Sequence, residues 1–166
     1  MEKLPNYASR TFLLVDDESF MLGLIDRVLK QCQAGKVLRA PHGAKAMNMF
    51  SGSATQVDCI IADLNMEPTN GLELLQAVRT GVNPKIARDQ RFVMLTGHGE
   101  SDAVRAAIAL DVQGYILKPI SIEKLVTTID LALGHDLVLK PVAHYRAIKL
   151  PELKPKSDAV EDEWLE

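Results

Sequence analysis

Cysteine is scarce in this sequence, and its two cysteines are not spaced for a cross-linked or zinc-bound scaffold. Cys32 and Cys59 form no CxxC pair, and no histidine stands at zinc-binding spacing from either of them. This pattern excludes a disulfide-stapled mini-protein and a zinc finger. We expect both residues to be ordinary thiols of a reducing compartment.

Long hydrophobic runs and an excess of basic residues are also missing. No apolar run approaches the roughly 20 residues that span a bilayer, and "MEKLPNYASR" lacks the apolar centre of a signal peptide. The net charge of −3 provides no basic face for nucleic acid. We therefore expect a cytoplasmic protein with no membrane insertion and no direct nucleic-acid binding.

The sequence does contain short apolar runs that alternate with amphipathic segments. Continuous runs, which are typical of strands covered on both faces, lie at 12–15, 59–62, 92–95 and 115–117, with a weaker one at 36–40. Apolar side chains spaced by three and four residues predict helices near 21–32, 43–51, 71–79, 101–110 and 122–133. Five such alternations predict an α/β fold, a doubly wound five-stranded parallel sheet with helices on both faces.

Composition divides the chain into three parts. Residues 1–9 form an N-terminal extension, and residues 10–134 carry the strand and helix pattern. Residues 135–166 contain several prolines and a closing acidic stretch, which predicts a tail or linker because proline disfavours regular structure. A solvated extension is the favoured interpretation of this tail, and a docking motif around Trp164 is the alternative.

Polar residues follow four of the predicted strands, where ligands bind in open α/β sheets. They are Asp16 and Asp17 after the first strand, Asp63 after the third, Thr96 after the fourth and Lys118 after the fifth. Clustered carboxylates repel one another unless a cation joins them, and Mg²⁺ prefers such oxygen ligands. We expect Asp16 and Asp17 to hold the metal, with Asp63 facing an incoming phosphoryl group that Lys118 and Thr96 could contact.

Each of these residues also has a simpler interpretation. Asp16 or Ser19 could cap the following helix, and Asp63, Thr96 and Lys118 could be ordinary loop or strand-end residues. Their common position at one rim favours the functional interpretation over the separate structural ones.

The chain resembles the response-regulator receiver domains of two-component signalling, including the single-domain chemotaxis regulators. The motifs that carry the resemblance are "LLVDDE", "IIADLNMEPTNGLELL", "VMLTGHG" and "GYILKPI", which span residues 10–134 in the family's order. The resemblance implies the flavodoxin-like receiver fold with strand order 2-1-3-4-5.

The resemblance also implies a role for each residue. Asp63 would accept a phosphoryl group from a histidine kinase or a histidine phosphotransfer protein, and Asp16, Asp17, Asp63 and the backbone carbonyl of Asn65 would bind Mg²⁺. Thr96 and Lys118 would bind phosphoryl oxygens. Thr96 and Tyr115 would be the switch residues, changing the surface of the fourth helix, fifth strand and fifth helix, although plain packing is an equal alternative for Tyr115. Asn65 and His98 occupy positions that tune phosphoryl lifetime, with a solvated loop residue as the favoured interpretation of His98.

Two segments depart from the family pattern. Glu67 separates Met66 from Pro68, where the family usually has Met and Pro adjacent, and it could add a fourth carboxylate near the metal. The segment "TGVNPKIARDQR" before the fourth strand is longer than usual, which we interpret as a surface-loop variation.

The predicted function is a phosphorylation-dependent response regulator that signals to a downstream protein target through protein contacts. It is not an enzyme beyond catalysing its own phosphorylation and dephosphorylation, and it needs no organic cofactor. An alternative is the receiver part of a longer regulator whose C-terminal output domain, an enzyme or a DNA-binding domain, is absent from this sequence. An aspartyl-phosphate hydrolase ranks lower, because Asn65 stands where those enzymes usually place a second acid.

Overall fold

Five short apolar segments form one parallel sheet in the computed structural model, which describes residues 3–50, 56–97 and 100–154. The strands are β1 (Thr11–Val15), β2 (Lys36–Ala40), β3 (Cys59–Asp63), β4 (Phe92–Thr96) and β5 (Gly114–Leu117). Their order is β2-β1-β3-β4-β5, and every neighbouring pair is parallel. The predicted fold and strand order are confirmed.

The first four helices connect successive strands, the last two follow β5, and together the helices cover both faces of the sheet. They are α1 (Ser19–Gln31), α2 (Gly43–Met49), α3 (Gly71–Arg79), α4 (Ser101–Ala109), α5 (Ile122–Leu133) and a short α6 (Val142–Arg146). None of the helices within the described ranges combines the length and apolarity needed to cross a membrane.

Alternate side chains of the strands fill two separate core layers. Leu13 and Val15 of β1 point into a layer with residues of α2, α3 and α4, whereas Phe12 and Leu14 point into a layer with residues of α1 and α5. β3 and β4 are buried along their whole length, which explains their continuous apolar sequences. Cys32 and Cys59 are buried free thiols in the second layer, and burial is the main cause that raises the pKa of each.

Helix starts are fixed by local hydrogen bonds in three cases. The side chains of His42, Asn70 and Ser121 each accept a backbone N–H from the first turn of α2, α3 and α5. Asn70 and Glu73 form a reciprocal capping box, which fixes the start of α3 directly after the β3 loop.

The longer segment before β4 is anchored in the protein and is not only a surface loop. Ile86 is buried in the first core layer, and Gln90 donates to the carbonyl of Val57. Arg79, at the end of α3, is completely buried beneath this segment. Its guanidinium donates to five acceptors, the carbonyls of Leu110, Arg88, Gln90 and Asp111 and the side-chain oxygen of Gln113.

Part of the predicted tail packs against the domain. We call residues 140–154 the strap; it contains α6, and Tyr145 is fully buried in the first core layer. The expectation of a solvated extension is therefore wrong for the strap, because its apolar side chains pack against the core layer that contains α3. Trp164 lies outside the described residues, and the domain boundary at residue 134 stays a prediction.

Candidate functional site

The carboxyl ends of four strands bring the predicted polar residues to one rim of the sheet. Asp16 follows β1, Asp63 ends β3, Thr96 ends β4 and Lys118 follows β5. The parallel register sets them side by side, since Asp63 is opposite Leu95 and Thr96 is opposite Leu117. Residues that are far apart in sequence thus meet because parallel strands end at a common edge.

Three carboxylates cluster at this rim. Asp16, Asp17 and Asp63 each place one oxygen within 4.8 Å of the others, and this is the one group of its kind that the described ranges hold. Asp16 and Asp63 are buried, whereas Asp17 is exposed. Such closely spaced anions repel one another strongly in a partly desolvated setting.

The carboxylate of Asp16 is held by its own loop. The backbone N–H of Glu18 donates to Asp16 Oδ1 at 2.9 Å. α1 begins at Ser19 with Glu18 as its N-cap, and the side chain of Glu18 makes no capping hydrogen bond. Ser19 is the first helical residue, so its interpretation as the helix cap is wrong. Asp16 accepts the backbone N–H of the N-cap residue and also belongs to the carboxylate cluster.

Lys118 lies opposite this cluster and reaches Asp63. Lys118 Nζ is 3.0 Å from Asp63 Oδ1, and the lysine side chain is one quarter exposed. Its backbone N–H donates to the carbonyl of Thr96 at 2.7 Å, which joins the loop after β5 to the end of β4. The ammonium thus offsets part of the negative charge while remaining accessible to solvent.

Gly71 allows the start of α3 to approach the backbone of Asp63 closely. A Cβ at residue 71 would lie 2.7 Å from the carbonyl oxygen of Asp63 and 3.0 Å from Cα of Leu64. The backbone N–H of Gly71 donates to the carbonyl of Leu64 at 2.8 Å. A larger residue here would displace the loop that carries Asp63, a role that a glycine at a helix start does not reveal in the sequence.

The remaining predicted residues lie around this group. Asn65 is partly buried, and its side-chain amide donates to the carbonyl of Lys154 at 2.8 Å. Tyr115, on the edge strand β5, is 49% exposed. Glu67 is exposed and is not a member of the carboxylate cluster. The interpretation of Glu67 as a fourth carboxylate of this cluster is therefore wrong. His98 lies outside the described residues.

Glu100, at the N-cap of α4, was not predicted from the sequence as part of this region. Burial raises the pKa of its carboxyl; the positive charge of Lys154 lowers it, and the negative charge of Asp63 raises it. The carboxyl of Glu100 therefore interacts electrostatically both with Asp63 at the rim of the sheet and with Lys154 at the end of the strap. Nothing in the local sequence around residue 100 indicates this, because Lys154 is brought there only by the tertiary fold.

The donor set fits a hard divalent cation. Three carboxylate oxygens within 4.8 Å supply oxygen donors and negative charge, the requirements of Mg²⁺ in proteins. The exposed Asp17 leaves one side of the cluster open to solvent. The sulfur and imidazole ligands that favour zinc are not part of this cluster, whose members are all aspartates.

Comparison with known proteins identifies a single family over most of the chain. The profile described as response regulator receiver domain matches residues 12–130. A protein named chemotaxis protein CheY homolog, from Campylobacter jejuni, is 34% identical over 122 residues, covering 74% of this chain and 91% of that protein.

Solved structures show the same fold. Chemotaxis protein CheY4 of Vibrio cholerae superposes with a TM-score of 0.62 at 26% identity, covering 73% of this chain and 96% of that one. The adenylate cyclase structure from Rhodopirellula baltica has a TM-score of 0.64 at 20% identity, covering 96% of this chain and 97% of its own. At that identity the likeness shows the fold alone, but its coverage extends into the C-terminal segment.

Proposed function

Because this chain belongs to the response regulator receiver domain family of two-component signalling, we propose that it is a phosphorylation-dependent switch with Asp63 as phosphoacceptor. The donor would be a histidine kinase or a histidine phosphotransfer protein, in the cytoplasmic location that the sequence predicts. Its only catalysis would be its own phosphorylation and dephosphorylation. Output would come from contacts with a downstream protein target. No specific observation favours the alternative of a missing output domain.

The observation that carries this proposal is the placement of Asp63 between a cationic and an anionic neighbourhood. One oxygen of Asp63 lies 3.0 Å from Lys118 Nζ, and the same carboxylate belongs to the cluster with Asp16 and Asp17. A structural ion pair at a loop needs no further carboxylates. A phosphoacceptor, by contrast, needs positive charge on both sides of the incoming phosphoryl group. Lys118 supplies it on one side, and Mg²⁺ held by the carboxylate cluster would supply it on the other.

In the proposed reaction a carboxylate oxygen of Asp63 attacks the phosphorus of a phosphohistidine. A new O–P bond forms and the P–N bond breaks, with its electron pair passing to the departing imidazole. Lys118 can stabilise negative charge on the transferred oxygens, because its ammonium already reaches the Asp63 carboxylate. Thr96, buried at the end of β4, would donate its hydroxyl to a phosphoryl oxygen.

Mg²⁺ would be held by Asp16, Asp17, Asp63 and the backbone carbonyl of Asn65. When bound, it supplies positive charge that allows these carboxylates to remain ionised together beside a phosphoryl group. Asn65 and His98 are proposed to tune the lifetime of the phosphoryl group.

The proposed output surface lies beside this rim and includes β5. Exposed apolar side chains of α4, β5 and α5 line it, namely Ile108, Tyr115, Leu117 and Ile122. Phosphorylation replaces the single charge of the Asp63 carboxylate with a phosphoryl group that carries about 1.5 to 2 negative charges, which would draw the Thr96 hydroxyl inward. Tyr115 would then reorient toward the space behind Thr96, and a partner would recognise the altered surface.

The direct test of this function is labelling of the purified chain by a small phosphoryl donor. We expect acetyl phosphate with MgCl₂ to add the mass of one phosphoryl group, and EDTA to prevent the addition. Intact-protein mass spectrometry measures both. Equal labelling with EDTA would contradict the metal-dependent reaction.

Asp17→Asn is expected to raise the Mg²⁺ concentration needed for half-maximal labelling by about ten-fold or more, because the cluster loses one of its anionic oxygens. The measurement is a Mg²⁺ titration of the initial labelling rate. Glu18→Gln is the matched control, because Glu18 is the next acid along the chain but is not a member of the cluster. Equal shifts in the two variants would show a general charge effect and contradict a specific role for Asp17.

A further inference from the structure

The first end of the strap is fixed at the edge of the domain that is remote from the candidate site. The hydroxyl of Tyr145 donates to Asp111 Oδ2 at 2.7 Å and accepts the backbone N–H of Lys140 at 3.1 Å. The Lys140 ammonium pairs with Asp111 Oδ1, and Arg88 donates to the Lys140 carbonyl while lying over the Tyr145 ring. The first end of the strap therefore has a specific binding surface on the domain, formed by Asp111 and by Arg88 of the long segment before β4.

The middle of the strap follows α3 toward the rim. The side-chain amide of Gln76 donates to the carbonyls of both Tyr145 and Ile148, at 3.0 Å each. Beyond α6, Ile148, Leu150 and Leu153 are partly buried against the core layer that contains α3. The strap is thus held on the second half of α3 by Gln76 and continues along the same core layer.

The far end of the strap reaches the candidate site. The carbonyl of Lys154 accepts a hydrogen bond from the side chain of Asn65, two residues after Asp63. The positive charge of Lys154 also attracts the carboxylate of Glu100, and the negative charge of Asp63 repels that same carboxylate. One residue, Asn65, thus presents its backbone to the proposed metal and its side chain to the strap.

We propose that the strap is a phosphorylation-responsive element, held more tightly on α3 when Asp63 carries a phosphoryl group. The inference rests on the proposed function of Asp63. It assigns a regulatory role to residues 140–154, outside the segment that matches the receiver family profile.

The direction of the effect follows from charge. Phosphorylation replaces the single negative charge of the Asp63 carboxylate with a phosphoryl group that carries about 1.5 to 2 negative charges. The backbone of Lys154 contacts the side chain of Asn65, two residues after Asp63, and its ammonium acts on Glu100 in the same region. A docked strap keeps that positive charge close, so docking gains free energy on phosphorylation. By thermodynamic linkage, the docked strap stabilises the phosphorylated form by the same amount.

The test is hydrogen exchange of the full chain with Mg²⁺ alone and with Mg²⁺ plus excess acetyl phosphate. The backbone N–H groups of Ala147 and Ile148 donate to Ala143 and Tyr145 within the strap. They report on docking because a helix of 5 residues does not keep its hydrogen bonds once it leaves the domain. We expect their exchange to slow by about five-fold or more on phosphorylation. Intact mass recorded on the same samples shows how much of the protein carries the label.

Two variants identify the charge that is responsible. Lys154→Gln keeps the carbonyl that Asn65 contacts but removes the ammonium, and we expect it to lose most of the slowing. Lys149→Gln makes the same charge change on an exposed residue of the strap and should behave as wild type. Full slowing in Lys154→Gln would overturn the proposed route through Lys154.

The outcomes separate this inference from the proposed function. A labelled protein whose strap exchanges at an unchanged or faster rate overturns the strap proposal and leaves Asp63 as phosphoacceptor. A protein that takes no label overturns the proposed function, and the strap proposal falls with it.

Discussion

Asp63→Asn is expected to take no phosphoryl group from acetyl phosphate, a loss of at least about 100-fold in labelling rate. The amide keeps the size of the side chain but is not a nucleophile toward phosphorus. It also removes the negative charge that pairs with Lys118 at 3.0 Å. Time courses by intact-protein mass spectrometry measure the effect.

Asp136→Asn is the matched control for this change. Its side chain is 99% exposed, so the same chemical change is made away from the carboxylate cluster. We expect it to label at the wild-type rate, with far-ultraviolet circular dichroism confirming the fold of both variants. Wild-type labelling of Asp63→Asn would mean that another residue accepts the group.

Arg79→Met is expected to lower the free energy of unfolding by about 3 to 5 kcal/mol, because four backbone carbonyls lose a buried charged donor. Methionine fills much of the volume of the arginine stem but cannot donate a hydrogen bond. Desolvation lowers the pKa of the guanidinium to about 10, so it is still charged at neutral pH. Its five hydrogen bonds compensate the cost of burying that charge. Chemical denaturation measures the change.

Arg105→Met is the control for loss of an arginine. Arg105 is on α4 with its side chain 82% exposed, and its ion pair with Asp102 is 3.7 Å long and also exposed. Such pairs contribute little, so we expect a change within about 0.5 kcal/mol. A loss of less than about 1 kcal/mol in Arg79→Met would contradict the role of Arg79 as the anchor of the segment before β4.

The sheet could be predicted because its signals are local and redundant. Buried parallel strands need continuous apolar runs such as "CIIAD" and "FVMLT", and the structure moves their ends by a residue at most. The helix at 43–51 ends earlier than expected, at Met49. The helix predicted near 101–110 also ends earlier, at Ala109, and its N-cap residue Glu100 makes no side-chain capping bond.

The rim residues could also be predicted, since strand order in a parallel sheet brings strand ends together. That rule alone predicts Asp16, Asp63 and Lys118 at one edge. In the structure oxygens of Asp16 and Asp63 lie within 4.8 Å of each other, and Lys118 Nζ is 3.0 Å from Asp63. The resemblance to receiver domains added the roles of Asn65 and Tyr115, which remain predictions.

Arg79 and Tyr145 could not be found in this way. An arginine at the end of an amphipathic helix usually lies in solvent, and its five acceptors come from two segments that are far apart in sequence, 88–90 and 110–113. Tyr145 stands in a proline-containing stretch with a short helix, so no periodicity marks it as a core residue. The Tyr145 side chain contacts Asp111 and Arg88, which only the folded chain brings together.

The measurement that tests the central claim most directly is the location of the phosphoryl group in the wild-type chain. After incubation with acetyl phosphate and Mg²⁺, rapid digestion at low pH and peptide mapping should place the group on the peptide that contains Asp63. Label at any other residue, or an unlabelled Asp63 peptide from labelled protein, would contradict the assignment of Asp63 as phosphoacceptor.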